Sequence, residues 1–185
     1  MSAIATLADW ERPEAERIEA ARTIAASKDG GAIPTLFAVL EGAEVELARA
    51  VLTALKDLGA ADALAKDLKA KEPEKRRLAA ERLALLQDPR SSAALAEAAK
   101  DADPKARTTV IRALSLLTGP KVYDALDAAL GDPNAEVRSY AAAGLGRSGD
   151  ARAVAALERA FEKEEDETVK DFIERALRRA RRPAK

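Results

Sequence analysis

Short groups of apolar residues recur along the whole chain, separated by polar breaks that glycine, proline or aspartate mark. The clearest instance runs from Asp132 to Leu157, DPNAEVRSYAAAGLGRSGDARAVAAL. Val137, Ala141 and Leu145 recur at the spacing of one helix face. Asp132 is placed to cap a helix opening at Pro133, where the missing N–H costs nothing. Ser148, Gly149 and Asp150 break that helix and cap a second one, expected to carry Val154, Leu157 and Phe161 inward. A pair this short cannot bury its own apolar face, so it needs neighbours of its own kind.

The rest of the chain supplies them. Arg17, Ala20, Ala21, Ile24, Asp29, Ile33 and Leu36 fall on Arg138, Ala141, Ala142, Leu145, Asp150, Val154 and Leu157. Leu47, Val51 and Leu55 give a further first-helix face, stopped at Gly59; the following ADALAKDLKAK fits with a one-residue ambiguity. Arg76, Ala79, Leu83, Asp88, Arg90 and Leu95 repeat the pattern; Asp103 and Pro104 repeat the cap-and-proline start, and Arg107, Leu114, Tyr123 and Leu126 follow in register. Val169, Ile173 and Leu177 form one more first-type helix, with Lys170 in the arginine's place. At the start, Ile4 and Leu7 read as a lone second helix. Trp10, one turn on, is expected to close the open end rather than to anchor a ligand.

The period is about 31 residues. The expected fold is all-α, an α–α superhelix of five helix pairs at 12–42, 43–72, 73–102, 103–131 and 132–163. Half pairs stand at 2–10 and 166–182, the whole forming one domain over 1–185. EVRSYAAAGLG followed by SGDARAVAAL resembles the HEAT-like repeats of the bilin-lyase type, with weaker copies at 17–36, 76–95 and 107–126. The resemblance implies a HEAT-like solenoid whose second helices line the concave side and serve protein–protein interaction. The turn aspartate of that pattern is present at Asp29, Asp88 and Asp150, but Ala60 and Gly119 replace it in two pairs.

Composition narrows the chemistry. There is no cysteine and no histidine, which removes thiolate chemistry, the commonest metal ligand and the commonest general base. The serines therefore have no histidine to activate them. GLGRSG from Gly144 follows a helix and not a strand, so it is not a phosphate-binding loop. Deoxyhypusine hydroxylase, a related repeat enzyme, holds its metal with His-Glu pairs that this chain lacks. The acidic run Glu162, Glu164, Glu165, Asp166 and Glu167 reads as a solvated loop before a helix rather than a cation site. No catalytic residue, cofactor or metal is expected, and the chain is read as a non-enzyme.

Charge adds one lead. Lysine plus arginine number 31 against 32 acids, so no global field draws the chain to nucleic acid, which the shortage of aromatics also disfavours. The outward positions of the second helices hold seven basic and four acidic residues, a local positive lean. From them Thr35, Lys66, Lys69, Arg90, Glu97, Lys121, Arg152 and Arg159 are expected to contact a protein or peptide on the concave face, acidic if that lean decides. The C-terminal bases Arg175, Arg178, Arg179, Arg181, Arg182 and Lys185 are read first as complementing a helix dipole. A bilin lyase or isomerase subunit, using Tyr123, Phe37 and Tyr140, is the alternative the resemblance raises. A designed or engineered scaffold without natural ligand is a further one. With no membrane-length apolar run or signal peptide, a cytoplasmic monomer is the expected state.

Overall fold

The computed structural model describes residues 2–182, and Lys185 of the basic terminus lies outside them. Among the described residues the fold is all-α: twelve helices and no strand, in the order half pair, five pairs, half pair. The chain forms two compact units, Met1–Ala63 and Leu64–Lys185, with the boundary inside α5.

In Met1–Ala63 the helices are α1 (Ala3–Ala8), α2 (Glu14–Ser27), α3 (Ile33–Leu40), α4 (Val45–Asp57) and the start of α5 (Ala60–Asp67). Ser2 accepts from Ala5 N at 3.2 Å to open α1, whose Leu7 is fully buried. Ala20, Ala21, Ile24, Leu47, Val51 and Leu55 form the core, as their spacing predicts. α1 ends before Trp10, so the indole falls in the following turn and is 78% exposed. It covers no end of the core, contrary to expectation.

In Leu64–Lys185, α6 (Pro73–Leu86), α8 (Pro104–Leu114), α10 (Ala135–Leu145) and α12 (Glu167–Ala180) pack side by side as first helices. α7 (Ser92–Ala98), α9 (Pro120–Ala129) and α11 (Ala153–Lys163) form the second layer. The first helices approach closely at α10. A Cβ on Gly144 would stand 2.9 Å from Ser115 Cα, and one on Gly146 2.8 Å from Ala176 Cα. These glycines of the GLGRSG stretch are there for contact between helices.

The repeated arginine has a definite task in this unit. Arg76, Arg107 and Arg138 each point across to an acid 25 or 26 residues later: Asp101, Asp132 and Glu164. The bridges measure 2.5, 2.7 and 2.7 Å, with the acids almost wholly buried. Each arginine also donates to a carbonyl in the turn before its own helix, at Ala70, Asp101 and Asp132. The acids in turn accept backbone N–H groups, from Asp103, Asn134 and Asp166, that lead into the next first helix. The arginine bonds hold the Asp101 and Glu164 carboxyls below the usual carboxylate range.

Two local readings change as a result. Asp132 is not the cap of a helix at Pro133: α10 starts at Ala135, capped by Asn134 accepting from Glu136 N at 2.8 Å. Asp132 is already committed to Arg107. Asp103 does cap α8 at Pro104 as predicted, accepting from Ala106 N at 2.8 Å. In α11 the inward arc centres on Ala153, Ala156 and Leu157, each almost fully buried. Ala156 is therefore core, while Phe161, expected inward, lies at the edge of that arc and is 39% exposed.

Candidate partner-binding faces

The turn aspartates set up the second-helix face. Asp88 and Asp150 each accept the backbone N–H two residues on, at 2.9 Å, from Arg90 and Arg152. That bond starts the short turn leading into α7 or α11 and brings the arginine back over its own aspartate. Arg90 reaches Asp88 at 2.6 Å, and Arg152 reaches Asp150 at 2.8 Å and Asp124 at 3.3 Å. The Arg152 guanidinium also lies 3.8 Å from the Tyr123 ring centroid, a cation–π contact. Hydrogen bonding from Arg152 holds the Asp150 carboxyl down, and Asp150 raises Arg152 in return.

The other expected positions follow the same logic. Lys69 meets Glu97 at 3.0 Å and lowers its carboxyl; Arg159 meets Asp127 at 3.4 Å. Lys66 and Lys121 are exposed without an ion pair among the described residues. Thr35 is half-buried on α3, in the other unit. Asp88, Asp124, Asp127 and Asp150 stand beside the bases and were missing from the expected set. Together with Glu97 they offset its positive lean. Their signal was present: Asp124 and Asp127 precede Arg152 and Arg159 by 28 and 32 residues, close to one repeat.

The larger concavity of Leu64–Lys185 is on the opposite layer. A groove of about 1120 Å³ is lined by α6, α8, α10 and α12, and none of the expected second-helix residues borders it. Leu85, Leu116 and Phe172, exposed by 55%, 42% and 40%, give it an apolar floor. Tyr140, Arg112, Arg147, Glu81 and Glu136 surround them. Each apolar residue stands next to a buried one, Leu85 beside Leu86 on α6, Phe172 beside Ile173 on α12, and Leu116 beside Leu117 in the turn after α8. Sequence periodicity treats such residues as overflow of the core face, so the groove escaped it.

The remaining candidates resolve plainly. Glu164 belongs to Arg138, and Asp166 caps α12 by accepting from Thr168 and Val169 N–H groups at 2.9 and 3.1 Å. Among the described residues no cluster of three potential metal ligands forms. Phe37 and Tyr123 are buried in the core, and of the three aromatics considered for a chromophore only Tyr140 borders the groove. Among the described residues no helix is long and apolar enough to cross a membrane.

Comparison with known proteins bears on the fold. Residues 61–136 and 120–178 match the family model for HEAT repeats. No curated protein sequence matches the chain. Among solved structures, the complex of CpcE and CpcF of phycocyanin lyase from Nostoc sp. PCC7120 is similar at 24% identity and a TM-score of 0.60. That match covers 80% of this chain and 99% of the other. Human deoxyhypusine hydroxylase is similar at 21% identity and a TM-score of 0.56, covering 96% and 72%. A designed armadillo repeat protein in complex with the peptide (KR)4 is similar at 17% identity and a TM-score of 0.57, covering 96% and 98%.

Proposed function

The chain belongs to the HEAT-repeat family, and from that premise we propose that it is a non-enzymatic scaffold, monomeric and cytoplasmic, that binds a protein or peptide partner. The observation that carries this reading is the groove over α6, α8, α10 and α12. It exposes Leu85, Leu116 and Phe172 together on one side of a helical layer. Exposed apolar side chains gathered in a concavity and rimmed by charges are the usual make-up of a docking surface. The designed armadillo protein with its bound peptide supports peptide binding by a repeat array of this kind. The second-helix positions are the weaker face, because Lys69, Arg90, Arg152 and Arg159 already have carboxylates.

Panning a library of random 16-residue peptides on the full chain tests this. Enriched peptides are expected to bind wild type and the K66E/K121E/R152E variant alike, and to lose binding to L85E/L116E. Retention by L85E/L116E with loss on the charge-reversed variant places the partner on the second helices and overturns the groove. No enrichment over an unrelated helical bundle overturns the scaffold reading.

A bilin lyase or isomerase subunit is the second reading, supported by likeness to the phycocyanin lyase complex and by Tyr140 and Phe172 lining a groove this large. An unchanged bilin absorbance spectrum in excess protein removes it.

A further inference from the structure

One end of the groove differs from the rest. Arg147, just beyond α10, donates to the Ser115 carbonyl at 2.6 Å, which fixes the guanidinium beside the C-terminal end of α8. A recess of about 360 Å³ shares Ala143, Arg147 and Phe172 with the groove and adds Arg175, Arg178 and Arg179 from α12 and Arg182 just beyond it. Arg175 and Arg178 are engaged by Asp171 and Glu174, at 3.9 and 3.0 Å on their own helix. Arg112, Arg147, Arg179 and Arg182 form no ion pair among the described residues, and Arg112 lies along the groove wall.

Helix-dipole complementarity accounts for bases at the end of α12. It does not account for Arg147, which lies just beyond α10. Burial, and then the like charge of Arg179, push the Arg147 guanidinium down from its ordinary value, and no carboxylate offsets either effect. On the second-helix face the arrangement is the reverse, each arginine being matched by an acid. Arg147 and Arg179 are exposed and like-charged at the rim of one recess, so an anion arriving from outside would find two guanidiniums there without an ion pair among the described residues. The place for that anion is continuous with the apolar floor.

Resting on the groove reading above, we infer that the partner is an acidic amphipathic segment of a protein, its apolar side chains on Leu85, Leu116 and Phe172 and its carboxylates on Arg147 and Arg179. A leucine and phenylalanine floor favours such a segment over a nucleic acid, which would want stacking aromatics or a basic track and not exposed leucines. The near-neutral whole chain points the same way, since phosphate backbones are drawn by a general positive field.

The peptides enriched on wild type provide the test. They are expected to carry acids toward one end, with leucine-like residues at helical spacing. In fluorescence anisotropy with the full-length R147E/R179E variant, affinity is expected to fall roughly tenfold or more. The R147K/R179K variant is expected to keep most of it, and circular dichroism reports whether each variant is folded. Peptides without acid enrichment overturn the inference, as does equal affinity for R147E/R179E. If L85E/L116E abolishes binding while R147E/R179E does not, the groove stands and the acidic partner falls. If neither variant weakens binding, the groove reading itself has failed. Displacement of the peptide by oligodeoxythymidylate at equal charge concentration overturns the choice of a protein partner.

Discussion

The two units use one repeat pattern and finish it differently. In Met1–Ala63 the arginine position holds Arg17 and then Ala48, and Arg17 donates to the Leu7 carbonyl, at 3.0 Å, with no ion pair among the described residues. In Leu64–Lys185 the same position holds Arg76, Arg107 and Arg138, each closed onto a buried acid. The first-helix faces differ in step. Along α2 and α4 a groove of about 660 Å³ is lined, apart from Ile18, by small and charged residues, with Arg22 and Arg49 paired to Glu19 and Glu46. Along α6 to α12 the groove is larger and its floor is leucine and phenylalanine. Apolar periodicity is thus enough to make a helix pair, while ion pairing and exposed apolar residues are added independently of it.

The strongest way to break this comparison is through close packing. A Cβ at Gly146 would stand 2.8 Å from Ala176 Cα and 2.9 Å from its carbonyl oxygen, both backbone atoms that cannot swing aside. Gly146→Val is expected to cost about 3 kcal/mol in urea unfolding of the full chain. At Gly42, where an added Cβ would meet nothing within 4 Å, Gly42→Ala is expected to stay within about 0.5 kcal/mol. Equal losses would mean that both units pack alike.

The arginines come next. Arg138→Ala strands the Glu164 carboxylate, whose side chain is 6% exposed. A loss on the order of 2 kcal/mol is expected, discounted from the fully buried case because the pair keeps some contact with water. Arg17→Ala removes one bond to a neutral carbonyl and is expected to cost about 1 kcal/mol. Thermal unfolding of the two variants separates them, and a larger effect at Arg17 reverses the assignment.

Acid sharpens the same contrast. The Asp101 and Glu164 carboxyls are depressed in the folded chain. Their stabilisation is therefore complete above the unfolded values, near 4, and is lost as pH falls through the lower folded values. Hydrogen-exchange protection of α8 to α12 is expected to hold from pH 7 to about 5 and to decline below about 4. Protection of α10 in Arg138→Ala should show less of that decline. The smallest effect is expected from Arg152→Glu. Its bonds to Asp150 and Asp124 are exposed, so its melting temperature should move less than that of either arginine variant above.

Most of the helix plan was legible in the sequence because Val137, Ala141 and Leu145, or Val169, Ile173 and Leu177, repeat at the helical period and are buried accordingly. Asp103 before Pro104 announced its helix correctly, whereas Asp132 before Pro133 did not. The two dipeptides look alike. What separates them is Arg107, a long-range partner that draws the Asp132 side chain away. The groove was harder to see, since Leu85 and Phe172 stand next to core residues on their helices and Leu116 next to buried Leu117 just after α8. Whether a leucine at the margin of an apolar stripe is covered depends on how the neighbouring helix is set, and no spacing rule carries that. Trp10 failed for a local reason: α1 stops two residues short of it.

The bridge between repeats has a consequence for how such a chain changes length. Each acid serves the arginine before it and the start of the helix after it, so every link faces both ways. Excising 102–132 removes Arg107 together with Asp132. It leaves Asp101 directly before Pro133 and Asn134, where Asp132 had been. Arg76 still finds an acid 25 residues on and Arg138 one 26 residues on. Copies of this module can therefore be lost or duplicated whole without orphaning one of the buried bridge charges, whereas a cut that separates an arginine from its acid breaks a link. The chemistry of the joint makes the repeat the countable unit in which a lineage of such chains can grow or shrink.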